Sequence, residues 1–282
     1  MIAIDLGGTI IKAAVIGYLD SPSLMNFTTI RTPKTRNELL KALVELIYKL
    51  EEKPDKIALS CPGPADYFRG FLLATPNLPL AFFNLKSFLE KHTSAIVVME
   101  NDAVCFTLGE ANYGAAKGKQ LVLGITLGTG FGGGIVYKGK PFKGLGNAGH
   151  FSKMVLRNEP ARDHFFKYKT YEVLLSERGL LARCPRFSSG LEMKKAAEQG
   201  DIEAIEAFSS YGKDLGLAVG SLIAAFDPDC VVIGGGLTKN WDLFAEVMFN
   251  VIREVTEFKA EVLHSKFEEP QLFGAASLLR NI

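Results

Sequence analysis

The sequence has little of what several classes of protein require. Its 32 basic and 31 acidic residues leave a formal net charge of +1, so it lacks the basic excess that marks a nucleic-acid-binding face. No apolar run reaches the length of a membrane span. Met1 leads straight into a strand pattern, without the basic segment that opens a secretory signal. We therefore expect no nucleic-acid partner and no membrane partner.

Cysteine is also scarce, and the four cysteines are scattered along the chain at positions 61, 105, 184 and 230. Three of them lie in or beside apolar runs, which is typical of small buried side chains in a reducing compartment. We therefore expect a cytoplasmic protein.

Two common nucleotide-binding motifs are missing as well. There is no G-x-x-x-x-G-K-[ST] sequence, and the first glycine turn, residues 7–9, leads into a strand pattern rather than a helix. That turn, Gly-Gly-Thr, joins strands predicted over residues 2–6 and 10–16. Its backbone N–H groups can form a nest for a phosphate. Asp5 before the turn can hold Mg²⁺ through water, and Lys12 after it can supply a point charge for phosphate oxygens.

A second stretch combines a carboxylate with a glycine turn. A strand predicted over residues 96–99 delivers Asn101 and Asp102 to the start of a helix, and a strand over 121–127 ends in Gly128-Thr129-Gly130. If the two strands lie in neighbouring sheets, both ends can face one cleft, where the carboxylate accepts a proton and the turn holds a phosphate. Each feature alone has an ordinary alternative, since Asn-Asp is often only a helix cap and Gly-Thr-Gly only a hairpin turn.

The rest of the chain is typical of a mixed sheet with helices on its faces. A third glycine turn, Gly234-Gly235-Gly236, follows a strand over residues 230–234, and the second half opens with the same strand, glycine turn and strand as the first. This echo suggests two related halves. Periodicity predicts further strands over 24–30, 56–60, 70–74, 133–138 and 261–263, and helices over 37–50, 84–91, 103–114, 170–182, 191–199, 202–226, 243–255 and 271–281.

The segments DLGGTIIK, ENDA, LGTGFGGGIV and DPDCVVIGGGL, in this order and spacing, resemble the ROK family of sugar kinases in the actin-like ATPase superfamily. CPGPADYFRGFLLATPNLP, GEANYGAAKG and GAASLL extend the resemblance over essentially the whole chain. It implies two actin-like (ribonuclease H-like) α/β domains with mixed sheets flanked by helices, and with nucleotide and sugar in the cleft between them. The implied sugar-side domain comprises residues 1–114 plus 270–282, and the nucleotide-side domain residues 115–269.

The resemblance also implies roles for individual residues. Those implied for ATP are Asp5, Gly7, Gly8, Thr9 and Lys12 in a first phosphate motif, Thr129 and Gly130 in a second, and Gly234, Gly235 and Gly236 in an adenosine motif. Those implied for the sugar are Asn77, Asn101 and Asp102, with Asp102 as the catalytic base. For Asn77 the residue pattern alone favours an Asx turn. Mg²⁺ would be held by Asp5 through water.

The chain departs from the family pattern where the sugar is read. The family's Glu-x-Gly-His is here Asn147-Ala148-Gly149-His150, so the histidine is kept and the acid is replaced by an amide. An amide donates as well as accepts hydrogen bonds, which widens the choice of sugar. Glu172 matches the family's second sugar-contacting acid.

The family's zinc knot is also absent. Its three cysteines fall at Asp163, Phe165 and Thr170, so we expect no structural zinc, because a closed site needs four protein ligands. The segment 151–169 must then be held by packing, with Phe165 and Phe166 as its aromatic anchors.

Two functions from different classes follow. The first is an ATP-dependent kinase that phosphorylates a hexose or N-acetylhexosamine at O6, with the sugar and ATP as its partners. The alternative is a non-catalytic sugar-binding or regulatory protein on the same fold. The kinase is favoured because Asp102 and all the phosphate motifs are intact. The sequence leaves open which sugar is used and whether the protein is a homodimer.

Overall fold

Strands and helices alternate along residues 1–73, 75, 77–161 and 166–281, which are the residues that the computed structural model describes. The strands are β1 Ile2–Leu6, β2 Ile10–Ile16, β3 Leu24–Arg31, β4 Lys56–Cys61, β5 Ala65–Asp66, β6 Phe71–Leu72, β7 Phe83–Asn84, β8 Ile96–Asn101, β9 Leu121–Leu127, β10 Phe131–Tyr137, β11 Lys140–Pro141, β12 Val155–Pro160, β13 Tyr168–Thr170, β14 Cys230–Gly234 and β15 Glu261–His264. The α-helices are α1 Arg36–Leu50, α2 Leu85–Thr93, α3 Asp102–Asn112, α4 Tyr171–Leu175, α5 Glu177–Leu181, α6 Gly190–Glu198, α7 Ile202–Phe226, α8 Trp241–Val255 and α9 Pro270–Ser277. None of the described helices has the length and apolar character of a membrane span.

The chain forms two compact units. Unit 1 consists of Met1–Gly118, Ile135–Ala148 and Phe267–Ile282, and unit 2 of Lys119–Gly134 and Gly149–Lys266. The domain boundaries expected from the sequence stay a prediction.

Unit 1 is built on a mixed sheet of order β3-β2-β1-β4-β8. The pairs β1–β2 and β2–β3 are antiparallel, whereas β1–β4 and β4–β8 are parallel. Successive side chains of a strand point to opposite faces. Ile2, Ile4 and Leu6 accordingly enter the large apolar cluster with α1 and α2, while Ala3 packs against α9. Asp5 therefore lies on the α9 face of the sheet.

Two glycines allow α3 and α9 to pack backbone against backbone. A Cβ atom on Gly274 would overlap the carbonyl oxygen of Cys105, and one on Gly109 would overlap that of Pro270. Leu272 and Ala275 of α9 are fully buried against the sheet. Unit 1 is thus completed by a helix that follows all of unit 2 in the chain.

A second five-stranded sheet, of order β11-β10-β9-β14-β15, repeats the arrangement, and its strands β9, β14 and β15 lie in unit 2. Strand β14 is buried throughout and runs parallel to both of its neighbours, β9 and β15. Gly212, Gly216 and Gly220 recur every four residues along one face of α7, so they lie above one another and let α8 approach closely. The two sheet orders agree with the repeat that the sequence predicts.

The structure differs from the sequence expectations in several places. The helix expected over 170–182 is two helices, α4 and α5, because Ser176 is extended and its Oγ accepts the N–H of Gly179 to begin α5. The hairpin β12–β13 was not expected. Of the strand expected over 70–74, Phe71–Leu72 is a strand and Ala74 lies outside the described residues.

Candidate functional site

The first glycine turn is fixed from two sides. The hydroxyl of Thr32 donates to the carbonyl of Gly7 at 2.7 Å, and its backbone N–H donates to the carbonyl of Thr9 at 3.0 Å. A Cβ atom on Gly8 would lie 2.6 Å from the Cβ of Asn77. The expected phosphate turn and the expected sugar ligand Asn77, which is exposed, are therefore neighbours in unit 1.

Strand pairing sets three polar residues in one row across the sheet of unit 1. Asp5 of β1 is opposite Lys12 of β2 and Ser60 of β4. The Oγ of Ser60 donates to Oδ1 of Asp5 at 2.7 Å. Lys12 Nζ lies 2.7 Å from Oε2 of Glu269, just before α9. A role of Lys12 in phosphate binding requires its ammonium group to leave Glu269 or to contact both.

The carboxyl group of Asp5 is poorly solvated. Burial raises its pKa from 3.8 to about 6, the bond from Ser60 opposes this rise, and the charge of Asp102 adds to it. A buried carboxylate beside a second acid favours a nearby cation. The residues present therefore fit the expected Mg²⁺. In the described part of the chain no cluster of three or more His, Cys, Asp or Glu side chains forms a cage for a metal ion.

Asn101 and Asp102 stand where β8 ends and α3 begins, as expected. Oδ1 of the buried Asn101 caps the helix by accepting the N–H groups of Ala103 and Val104 at 3.0 and 3.2 Å. Its amide nitrogen donates to Tyr67 at 3.1 Å. Asp102 is partly exposed in the first turn of α3, where the helix dipole favours the ionised form that can accept a proton.

In unit 2 the second glycine turn lies against a carboxylate. The turn of residues 128–130 is closed by the N–H of Gly128 donating to the carbonyl of Gly130 at 3.0 Å. Oε2 of Glu172, in the first turn of α4, accepts the N–H of Phe131 at 2.7 Å. A Cβ on Gly130 would lie 3.0 Å from Oε1 of Glu172. The expected sugar ligand Glu172 and the expected phosphate residues Thr129 and Gly130 are thus together.

His150 is placed by a close approach of two backbone segments. A side chain at Gly133 of β10 would overlap the carbonyl oxygen of Gly149 and the ring of Phe151. Only glycine lets the segment around His150 lie directly on the strand. His150 is partly buried there.

The third glycine turn also depends on one glycine. Gly235 has a φ of +97°, and a Cβ there would lie 2.8 Å from the backbone nitrogen of Leu127 at the end of β9. The hydroxyl of Thr238 closes the turn on the carbonyl of Gly235 at 2.8 Å. The turns after β9 and β14, both expected to bind nucleotide, are therefore adjacent.

At the positions of the family's zinc-binding cysteines, Asp163 and Phe165 lie outside the described residues, and Thr170 caps α4 by accepting the N–H of Val173. Phe166 is partly buried.

Ion pairs that the sequence did not reveal hold this region. Asp214 of α7, 2% exposed, pairs with Arg157 of β12 and, at 2.5 Å, with Arg183. Arg183 also donates to the carbonyl of Leu174 at 2.9 Å, which fixes the end of α4.

Sequence reasoning missed three further charged groups near the expected site. Glu269 pairs with Lys12, and the buried Glu100 pairs with Lys143. Ion pairs between distant residues leave no local pattern in the sequence. Of these residues only Glu100 gave a signal, because an acid within an apolar strand is unusual.

Comparison with known proteins gives one consistent answer. The model of the ROK family matches residues 1–282. An N-acetyl-D-glucosamine kinase from Aliivibrio salmonicida is 32% identical, with 83% of each chain covered. A glucokinase from Thermotoga maritima is 29% identical over 99% of this chain and 97% of its own.

A solved structure of a ROK family glucokinase from Streptomyces griseus, in complex with glucose and AMPPNP, superposes with a TM-score of 0.84 and is 26% identical. The alignment covers 100% of this chain and 99% of that one. This similarity confirms the expected α/β fold with mixed sheets flanked by helices. The family match over all 282 residues, the whole-chain structural similarity and the position of Asp102 after β8 lead to one conclusion: the chain belongs to the ROK family.

Proposed function

We propose that the protein transfers a phosphoryl group from ATP to a hydroxyl group of a hexose or N-acetylhexosamine, at O6. The observation that carries the proposal is the position of Asp102, a partly exposed carboxylate at the start of α3 whose charge acts on Asp5 beside the first glycine turn. The relatives are named as kinases of N-acetyl-D-glucosamine and glucose, which supports the substrate class.

The described side chains suit the chemistry of phosphoryl transfer, in which positioning and electrostatics dominate. ATP supplies its γ-phosphoryl group, and the bond from the γ-phosphorus to the β–γ bridging oxygen breaks so that ADP leaves. Asp102 accepts the proton of the sugar hydroxyl as the bond to phosphorus forms. The N–H groups of residues 7–9 and those of residues 128–130 offer donors to phosphate oxygens. Asp5 would hold Mg²⁺ through water, and the ion would offset the negative charge of the phosphates.

The residues expected to bind the sugar offer different groups. Asn77, Asn101 and Asn147 offer amides, and His150 and Glu172 offer an imidazole and a carboxylate. Glu172 already accepts the N–H of Phe131, so one of its oxygens is held and the orientation of the carboxylate is fixed before a sugar binds. Preorganisation of this kind lowers the cost of binding.

A coupled assay of ADP release tests the proposal with glucose, mannose, fructose, allose, N-acetylmannosamine and N-acetylglucosamine as acceptors. We expect turnover with at least one sugar, and a phosphorus–carbon coupling in the product's NMR spectrum that identifies O6. Calorimetric binding of a sugar without any ADP release would instead establish the non-catalytic alternative. Turnover with phosphate on another oxygen would correct only the position.

A further inference from the structure

Glu100 is a buried acid for which the proposed reaction has no use. It is the penultimate residue of β8, and its side chain is 3% exposed. Its Oε1 accepts the N–H of Asn101 at 2.9 Å. Its Oε2 lies 2.7 Å from the ammonium nitrogen of Lys143, off the direction of a well-aligned hydrogen bond. Since an apolar residue would fill a sheet position at lower cost than a buried carboxylate, the pair calls for a reason other than stability.

The partner of Glu100 organises a loop. The carbonyl of Lys143 accepts the N–H of Gly146 at 2.7 Å and that of Ala148 at 3.1 Å, so the chain folds back on Lys143. Gly144 and Gly146 have φ values of +53° and +117°, which glycine adopts without strain. The loop of residues 143–148 is therefore held by backbone hydrogen bonds to Lys143, whose ammonium group pairs with Glu100 near the end of β8.

This attachment joins two parts of the expected sugar site within unit 1. One end carries Asn101 and Asp102, directly after Glu100, and the other carries Asn147, inside the loop. Lys143 is itself 45% exposed, so an ordinary surface pair would contribute little. Because Glu100 is buried, its carboxylate has a fixed position, and the ion pair links the loop to that position.

We propose that Lys143 is a positioning residue that holds Asn147 against the Asn101–Asp102 end of β8 and so sets the affinity for the sugar. The inference rests on the proposed function. It assigns to Glu100 the role of an anchor for Lys143, and it assigns to neither residue a contact with the reacting atoms.

The test compares Lys143→Gln, Glu100→Gln, the double variant and Lys143→Arg in the ADP-release assay with the preferred sugar. We expect KM for the sugar to rise about tenfold in Lys143→Gln, because a small displacement of a binding group has large effects. KM for ATP and kcat should stay within about threefold, since catalytic groups are untouched. Lys143→Arg keeps the positive charge and should keep KM for the sugar close to the wild-type value.

The double variant separates a specific pair from general loosening. If Glu100 and Lys143 act only through each other, the double variant should raise KM about tenfold, like each single variant, rather than about a hundredfold. Lys140→Gln, an exposed charge three residues earlier, is the matched control and should change nothing.

Unchanged sugar KM in Lys143→Gln and Glu100→Gln would overturn the inference, and so would an equal rise of both KM values or a hundredfold effect in the double variant. Should Lys143→Gln melt below the assay temperature, Glu100→Gln and Lys143→Arg decide the matter. If the wild-type protein turns over no sugar, the proposed function fails by itself. The Kd of the same variants for the sugar, measured by calorimetry, then tests the positioning role alone.

Discussion

The two five-stranded sheets have corresponding strand orders, but they place chemical groups differently. In unit 1 the fifth strand, β8, ends in Glu100 and Asn101 and passes directly into α3 with Asp102. In unit 2 the corresponding strand, β15, ends in His264, whose ring stacks on Trp241 at 4.5 Å between centroids.

The first strands differ in the same way. Asp5 in β1 has Thr126 as its counterpart in β9, because Ile-Asp-Leu-Gly-Gly-Thr aligns with Ile-Thr-Leu-Gly-Thr-Gly. The carboxylate near the second turn, Glu172, comes from α4 instead. The two sheets thus share their strand order and their glycine turns. Substitutions at single equivalent positions, such as Asp5 and Thr126, determine which glycine turn has an acid in the strand before it.

The largest change in activity is expected from a substitution directly after β8. Asp102→Asn should keep sugar and nucleotide binding and lower kcat by roughly 10²–10⁴-fold, the usual contribution of a general base. Steady-state kinetics and calorimetry measure both quantities. Ser265→Ala, at the end of the corresponding strand in unit 2, is the control and should leave kcat within about twofold. A near-normal kcat for Asp102→Asn would remove this residue from the mechanism.

The next effect concerns how unit 2 holds the hairpin β12–β13. Asp214→Asn leaves Arg183 buried without its counter-charge, so we expect the free energy of unfolding in urea to fall by about 3–5 kcal/mol. Glu159→Gln removes a solvent-exposed pair with Lys169 on the same hairpin and should leave the free energy of unfolding nearly unchanged.

Metal analysis tests whether zinc, rather than the ion pairs of Asp214, holds the hairpin β12–β13. Protein purified without a His-tag should contain well under one zinc per chain on the expectation that no closed four-ligand site exists. A strong chelator should leave the melting temperature unchanged. Stoichiometric zinc that resists dialysis would mean that a metal, rather than the ion pairs of Asp214 with Arg157 and Arg183, mainly stabilises the hairpin.

A smaller loss is expected when a methyl group is forced between the helices of unit 1. Gly274→Ala would push α9 away from Cys105 and should lower the free energy of unfolding by about 1–3 kcal/mol. Gly236→Ala, where nothing lies within 4 Å of the added carbon, should change it by under about 1 kcal/mol. Equal losses would show that backbone entropy, rather than the close crossing, determines the result.

The smallest effect is a pH dependence that only the first strand of unit 1 should show. The pKa of Asp5 is about 6 in the folded protein against 3.8 ordinarily, so the folded state binds this proton more tightly. Stability should therefore fall as pH rises from 3.8 to about 6, by about 1–2 kcal/mol after allowance for partial solvent access, and stay lower above that window. In Asp5→Asn the free energy of unfolding in urea should lose this part of its dependence on pH. An identical slope in both proteins would assign it to other groups.

What could be predicted from sequence was local. The strand–glycine–strand pattern placed β1, β2 and the turn between them, because alternation and glycine content act over a few residues. The pairing of Lys12 with Glu269 spans 257 positions and was invisible. The hairpin β12–β13 was missed because most of Val155–Pro160 is exposed and shows no apolar alternation. Thr129 and Glu172 were both named as site residues, but only the fold brings them together.

The crossing of α3 and α9 has a consequence for how the protein is made. At about 5–20 residues per second, roughly ten to thirty seconds separate the synthesis of β8 from that of α9. Throughout that interval Ala3 and Ala58 of the sheet lack the covering helix against which they are buried. Unit 2 is contained in the stretch made meanwhile. A released chain that is truncated before residue 270 should therefore protect unit 2 from protease better than unit 1, and the uncovered sheet of unit 1 is the surface on which a chaperone would act.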